Sequence, residues 1–219
     1  METDPDTARL AVSRHAARLF LEKGVSGTSG EDIAAAAGIS KRTVWRYFRN
    51  KENCVAPLFE KSSLQFTAQL QDWPANLSIE EHLSQCLAIE TQSARDIEDG
   101  ILVVRLVAAL GDEPDLKAEW LMASSAGEAG LAEVIATRVE RSARDFDVRL
   151  CAALVSAAIR MIDEAISMAA IRHGQIFDTA EVVARLAGTM RRASTLNFCD
   201  PVIPNIFGDA RASSTGLSR

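Results

Sequence analysis

Residues 24–54, GVSGTSGEDIAAAAGISKRTVWRYFRNKENC, leave room for little except two short helices crossing steeply. Thr28 with Glu31, or Ser29 with Asp32, has the hydroxyl-to-acid spacing of a capping box at the start of the first helix. That helix ends at Ala37-Gly38, and Ser40 caps a second one that runs to Tyr47 or Phe48. Close crossing demands small side chains on the inner face, and Ala34 and Ala37 supply them. Gly38 is free to take the positive φ that a tight turn needs. Ile33, Ile39, Val44 and Phe48 remain to form a small core.

The rest of the chain also reads as helix. Alanine and leucine abound, β-branched alternation is absent, and there is no Asn-Gly hairpin signal. A first helix over Thr7–Lys23 puts Ala8, Val12, Ala16, Leu19 and Phe20 on one face, and Gly24 stops it. Asn50 or a neighbour caps a long fourth helix with Val55, Leu58, Phe59, Ser62 and Phe66 on one side. Pro74 breaks the chain. Further helices are expected over Ser78–Asp96, over the apolar Ile101–Leu110 between Gly100 and Gly111, and from Pro114 toward Arg144 with an interruption at Gly127 or Gly130. The last two are expected over Asp147–Arg172 and Thr179–Ser194. The Ile101–Leu110 stretch is apolar on nearly all sides and is expected to be central. From Phe198 on, two prolines and ASSTGLSR read as a tail, partly or wholly disordered. The expected fold class is all-α: an N-terminal helix-turn-helix domain over residues 1–52, a larger helical domain over 53–197 and a flexible tail over 198–219.

The charge distribution narrows the partner. The 219-residue chain carries a net charge of −6, yet residues 1–56 hold nine Lys and Arg against seven Asp and Glu. Between Gly38 and Lys51 lie five basic residues (Lys41, Arg42, Arg46, Arg49 and Lys51) and no acid. A local basic patch, rather than whole-chain charge, is what phosphate attraction requires. The second short helix must then present donors to double-stranded DNA. Lys41, Arg42, Thr43, Arg46 and Tyr47 do so, with Ser40 at a capped N-terminus that itself attracts phosphate.

Other functions find little support. No run approaches the roughly 18 apolar residues of a membrane helix. The acidic start METDPDTARL has no apolar core and does not read as a signal peptide, so a cytoplasmic location is expected. Cys54, Cys86, Cys151 and Cys199 lie far apart and read as reduced core thiols, Cys199 being the candidate if one senses oxidants. His15, His82 and His173 show no metal spacing, and no metal or cofactor is expected. No nucleophile elbow, phosphate-binding glycine loop or H-E-x-x-H is present, so no enzyme activity is expected.

Residues 24–54 resemble the TetR family of transcriptional repressors. The resemblance rests on Gly24-Val25, Thr28-Ser29, Ile33-Ala34, Ala37-Gly38-Ile39-Ser40, Thr43-Val44-Trp45, Phe48 and Lys51-Glu52. Three positions depart from the family's pattern. Gly30 stands where an aliphatic residue is usual, Arg42 replaces a frequent glycine, and Trp45 replaces a common tyrosine. A glycine at position 30 is expected to weaken its helix by about 1 kcal/mol relative to alanine. The resemblance implies that Lys41, Arg42, Thr43 and Tyr47 reach the major groove, and that Trp45, Arg46 and Lys51 hold phosphates, with Thr28 and Ser29 assisting. It further implies a homodimer built on the last two helices, with Ala180, Val183, Ala184, Ala187 and Gly188 at the interface, and a near-palindromic operator. A pocket for an unknown small-molecule effector of apolar character is expected to draw on Arg105, Trp120, Met122, Met161 and Asp163. Asp163 and Glu164 also have a plainer reading as helix ion pairs with Arg160. The implied function is a repressor released by its effector. A member of the same family acting as activator or co-regulator is the alternative, ahead of an all-helical enzyme.

Overall fold

The computed structural model describes residues 5–88, 90 and 92–202, which contain ten α-helices and no strand. The head consists of α1 (Pro5–Lys23), α2 (Gly30–Ala36) and α3 (Lys41–Tyr47). A 3-10 turn over Glu52–Val55 leads into α4 (Ala56–Gln71). Asn50 does cap this turn, its Oδ1 accepting from the Asn53 amide at 2.8 Å. The body comprises α5 (Ile79–Cys86), α6 (Ala94–Ala109), α7 (Pro114–Ser125), α8 (Glu128–Arg138), α9 (Phe146–His173) and α10 (Thr179–Ala193). None of the described helices is long and apolar enough to cross a membrane.

The single helix expected over Ser78–Asp96 is in fact split. α5 closes at Leu87, and Ser93 starts α6 by accepting from the Asp96 amide at 3.1 Å. Asp96 therefore belongs to the first turn of the next helix, and Gly100 lies inside α6 instead of before it. Nor is α6 buried on all sides. Leu102, Leu106 and Val107 face inward while Ile101 and Arg105 face outward. The helix expected to run from Pro114 toward Arg144 breaks at Ala126-Gly127 and stops at Arg138.

Two hydrophobic cores form, and α4 belongs to both. The first joins Val12, Ala16, Phe20, Ile33, Val44 and Phe48 of the head to Leu58 and Phe59 of α4, and to Leu106, Leu116 and Trp120 of the body. The second joins Leu70 of α4 to Leu83, Ile135, Val155, Leu186, Met190 and Phe198. Each of the larger aliphatic and phenyl side chains contributes about 1.5–3 kcal/mol relative to its exposed state. Packing in the first core thus crosses the boundary expected at 52–53 and fixes the head against α6 and α7.

Two polar clamps reinforce that junction. Arg14 of α1 donates to both carboxylate oxygens of Asp99 in α6, at 2.7 and 2.8 Å. Lys61 of α4 completes the cluster with bonds of 2.6 Å to Asp96 and 2.7 Å to Asp99. Burial alone would push the Asp99 carboxyl up, but the bonds from Arg14 and Lys61 outweigh it and hold the group below its usual range. On the other side, Arg49 donates to Glu119 of α7 at 2.5 Å, and Asn53 donates to the second Glu119 oxygen at 2.8 Å.

The start of the expected tail is not loose. Phe198 and Cys199 are buried, and Arg138 donates to the carbonyls of Phe198 (2.7 Å), Asp200 (2.8 Å), Leu77 (3.1 Å) and Pro74 (3.3 Å). Its guanidinium also lies 3.5 Å from the centre of the Trp73 ring. The buried Phe198 and the four carbonyls that converge on Arg138 anchor residues 198–202 to the body. The remainder of that tail lies outside the described residues.

Candidate nucleic-acid interface and effector cavity

The head builds α2 and α3 from local signals. Ser29 and Asp32 form the capping box on α2: the Asp32 amide donates to Ser29 Oγ, and the Ser29 amide donates to Asp32 Oδ2 at 2.9 Å. Of the two capping pairs the sequence allowed, this is the one that forms. Hydrogen bonds from Ser29 hold the Asp32 carboxyl down at about 2. Gly38 turns the chain at φ +66°, with nothing within 4 Å of where a Cβ would stand. Ser40 caps α3, accepting from the Thr43 amide at 3.1 Å.

From α3 the side chains diverge by role. Val44 is fully buried, while Lys41, Arg42, Trp45 and Arg46 are exposed. Arg42 has no hydrogen-bond or ion-pair partner among the described residues, so its guanidinium points into solvent uncommitted. Lys41 pairs with Glu31 at the surface, an interaction worth at most about 1 kcal/mol that a phosphate can displace. Arg46 lies 5.2 Å from the centre of the Tyr47 ring, and Tyr47 packs edge-on against Phe48. Thr43 shares a 2.9 Å bond with Ser40. Trp45 is 39% exposed and rests its six-membered ring against Gly30.

Two expected phosphate contacts sit elsewhere. Thr28 is 2% exposed and donates to the Gly24 carbonyl at 2.8 Å, so its hydroxyl is spent inside the head. Lys51 donates to the carbonyls of Val25 at 2.6 Å and Thr28 at 3.2 Å. It staples the loop before α2 instead of projecting as a free cation. Arg49, which sequence reasoning left out of the DNA-facing set, is bound to Glu119.

Residues 14–58 match the family model described as bacterial regulatory proteins, tetR family. The head over those residues is that of the TetR family. It is 32% identical over 129 residues to the HTH-type transcriptional regulator TcmR of Streptomyces glaucescens, a stretch covering 57% of each chain. The match therefore spans little more than half the length of that curated relative. A TetR-family regulator from Mesorhizobium loti shares the fold with a TM-score of 0.54 at 22% identity, over 88% of this chain and 97% of the other. Thermus thermophilus FadR, solved with lauroyl-CoA, does so with 0.52 at 19% identity, over 84% and 92%.

A cavity of about 250 Å³ opens beside α4, its apolar wall drawn from the second core. Ser62, Ser63, Phe66, Thr67 and Leu70 of α4 form one wall, and Ser124 and Gly127 border α7. Leu131 of α8, Ser156, Ile159, Arg160 and Asp163 of α9, and Val182 and Leu186 of α10 close the rest. Of the five expected pocket residues only Asp163 lines it. Trp120 is buried in the first core because its helix face turns toward the head. Arg105 points outward from α6, and Met161 is 73% exposed on the opposite face of α9. Met122 is exposed, its sulfur receiving an Arg49 N–H at 3.6 Å. The expected Arg160 ion pairs do not form: Arg160 donates to Ser156 at 3.3 Å, and Glu164 pairs with Lys117 at 3.3 Å.

The expected dimer residues divide in two. Val183 and Ala187 lie in the second core with Leu186 and Met190, because α10 spends its apolar stripe on its own chain. Ala180 and Ala184 are exposed, Gly188 is half-buried, and Leu150, Leu154 and Met161 of the adjoining α9 are exposed as well. The Cys199 thiol is buried, and desolvation pushes it up to about 12, which keeps it un-ionised near neutral pH.

Proposed function

We propose that this chain is a DNA-binding transcription regulator that represses from a near-palindromic operator as a homodimer and leaves it when a small molecule fills the cavity beside α4. The observation that carries the reading is the TetR-family head, whose rigidly capped α3 presents Lys41, Arg42, Thr43, Arg46 and Tyr47 on one projecting helix. Arg42 and Lys41 suit guanine edges, and the Thr43 methyl and Tyr47 ring suit a thymine methyl. Ser29, Ser40, Trp45 and Arg46 suit the backbone.

The exposed Leu150, Leu154 and Met161 of α9, beside the small residues Ala180, Ala184 and Gly188 of α10, support pairing of two copies by close helix approach. Such a dimer would set its two heads about one DNA turn, roughly 34–36 Å, apart. A ligand wedged against the cavity wall pushes on α4, which both cores share, and so displaces a head from its dimer frame. The lauroyl-CoA in the Thermus FadR structure supports a ligand-responsive role for a fold of this kind.

The test is binding of the purified protein to its own upstream DNA, against scrambled DNA, across a salt series. Sequence-selective binding with a steep salt slope supports the reading. Absence of any DNA binding at low salt, in protein shown by mass spectrometry to be ligand-free, overturns it.

A further inference from the structure

Asp163 is out of place where it stands. Its neighbours in the cavity wall are mostly Phe66, Leu70, Ile159, Val182 and Leu186, and among the described residues it has neither a hydrogen bond nor an ion pair. The other charged group in that wall, Arg160, turns one helical turn back toward Ser156. A second, narrower groove continues from the cavity past Ser62, Phe66 and Leu87, and its charges are already matched, Lys61 lying between Asp96 and Asp99. Asp163 stands exposed at the rim of this largely apolar space, where a charge left unpaired within the chain is matched by what binds there.

We infer that the cavity takes a compact, largely apolar molecule bearing one basic nitrogen, with the nitrogen seated on Asp163 and the apolar body against Phe66, Leu131 and Leu186. The inference rests on the effector reading above and names the ligand class for that site. Ser62 and Ser63 are near enough in the wall to orient a second polar atom. α4, α7, α8 and α10 contribute no charged side chain to the cavity, so only Arg160 opposes the cation, and its hydrogen bond to Ser156 holds it aside. Asp163 is exposed at the cavity mouth, and partial desolvation by the protein packed beneath it pushes its carboxyl up to about 7. A cation binds the ionised form, so binding strengthens as pH rises from about 6 to 8, whereas a neutral acceptor hydrogen-bonded to the protonated acid weakens over the same range.

The experiment uses three probes with one skeleton, 4-phenylbutylamine, 4-phenylbutanol and 4-phenylbutyrate, titrated calorimetrically into the full-length dimer. The amine is expected to bind roughly tenfold or more tightly than the other two, with the rising pH profile. Asp163→Asn should reduce the amine to the level of the alcohol, and Asp163→Glu should keep the preference, circular dichroism confirming both folds. Alcohol or butyrate binding as tightly as the amine, an amine preference that survives Asp163→Asn, or no binding by any of the three overturns the inference. Release of DNA is measured separately. An amine that binds with the stated pH profile and leaves the DNA complex intact supports the ligand class and defeats the effector role.

Discussion

The indole of Trp45 occupies the space in which residue 30 would carry a side chain. A Cβ built on Gly30 collides with Cζ2, Cη2 and Cε2 of that ring. Two departures from the family's pattern, glycine at 30 and tryptophan at 45, are therefore one arrangement. Gly30→Ala is expected to destabilise the protein even though alanine favours helix by about 1 kcal/mol. In a Trp45→Ala background the same substitution should stabilise by about that amount. Urea unfolding of the four proteins in a double-mutant cycle checks the change of sign.

Base reading and head integrity should separate cleanly. Arg42→Ala or Tyr47→Ala should weaken operator binding by about 1–3 kcal/mol while leaving scrambled DNA nearly unaffected. Thr28→Val, which removes a buried internal hydrogen bond, should lower the melting temperature and leave the affinity of the folded protein unchanged. Gel-shift titration beside thermal denaturation distinguishes the two behaviours, and unaltered operator affinity in both α3 variants would refute this docking of α3.

Glu119 links the head to α7 through both of its oxygens. Its removal leaves Arg49 exposed to water but strips Asn53 of its partner. Glu119→Ala is expected to cost about 1–3 kcal/mol of stability, and the coupling to Arg49→Ala should approach 1 kcal/mol. If the clamp aligns the head, operator affinity should fall in both single variants without loss of the steep salt slope.

Arg138 is the anchor of the C-terminal segment. Arg138→Met strands four carbonyls around an apolar side chain, and a loss of about 3 kcal/mol is expected. Arg138→Lys should recover less than half of it, since an ammonium cannot span the fork of acceptors that a guanidinium reaches. Limited proteolysis should release the segment after Asn197 in the methionine variant first.

The raised carboxyl of Asp163 makes stability depend on pH with a definite sign. The unfolded chain gives up this proton near 3.8, while the folded one keeps it to about 7. The group therefore favours the folded state below pH 3.8, loses that contribution as pH rises toward 7, and adds nothing further above it. Asp163→Asn should match the parent near pH 4 and exceed it in melting temperature at pH 8. A difference that shrinks with rising pH would show the carboxyl to be partnered.

The head was legible because its signals are local. Caps at Ser29 and Ser40, the turn at Gly38 and the apolar set Ile33, Ile39, Val44 and Phe48 all act within a few residues. What failed depended on the other side of a contact. Periodicity marked Val183 and Ala187 as an apolar face but could not say whether that face met its own chain or another. Trp120 and Met161 had the chemistry of pocket walls, yet rotation of α7 and α9 sends one into the head and the other outward. The true cavity left one mark in the sequence: Ser62 interrupting the apolar face of α4, one turn before Phe66. Thr28 and Lys51 are basic or polar at the right distance from α3, but buried carbonyls nearby claimed them first.

Because α4 is held at one end by Leu58 and Phe59 and at the other by Leu70, its middle turns carry little of the weight of either core. Ser62 and Ser63 there can change identity at small cost to folding, while Lys61 is fixed by Asp96 and Asp99. The same turns form the wall against which a ligand rests. On the effector reading proposed above, descendants of this chain are free to exchange one chemical signal for another while keeping the same reading head, and the α4 wall of the cavity is where a lineage would record what its cells have had to detect.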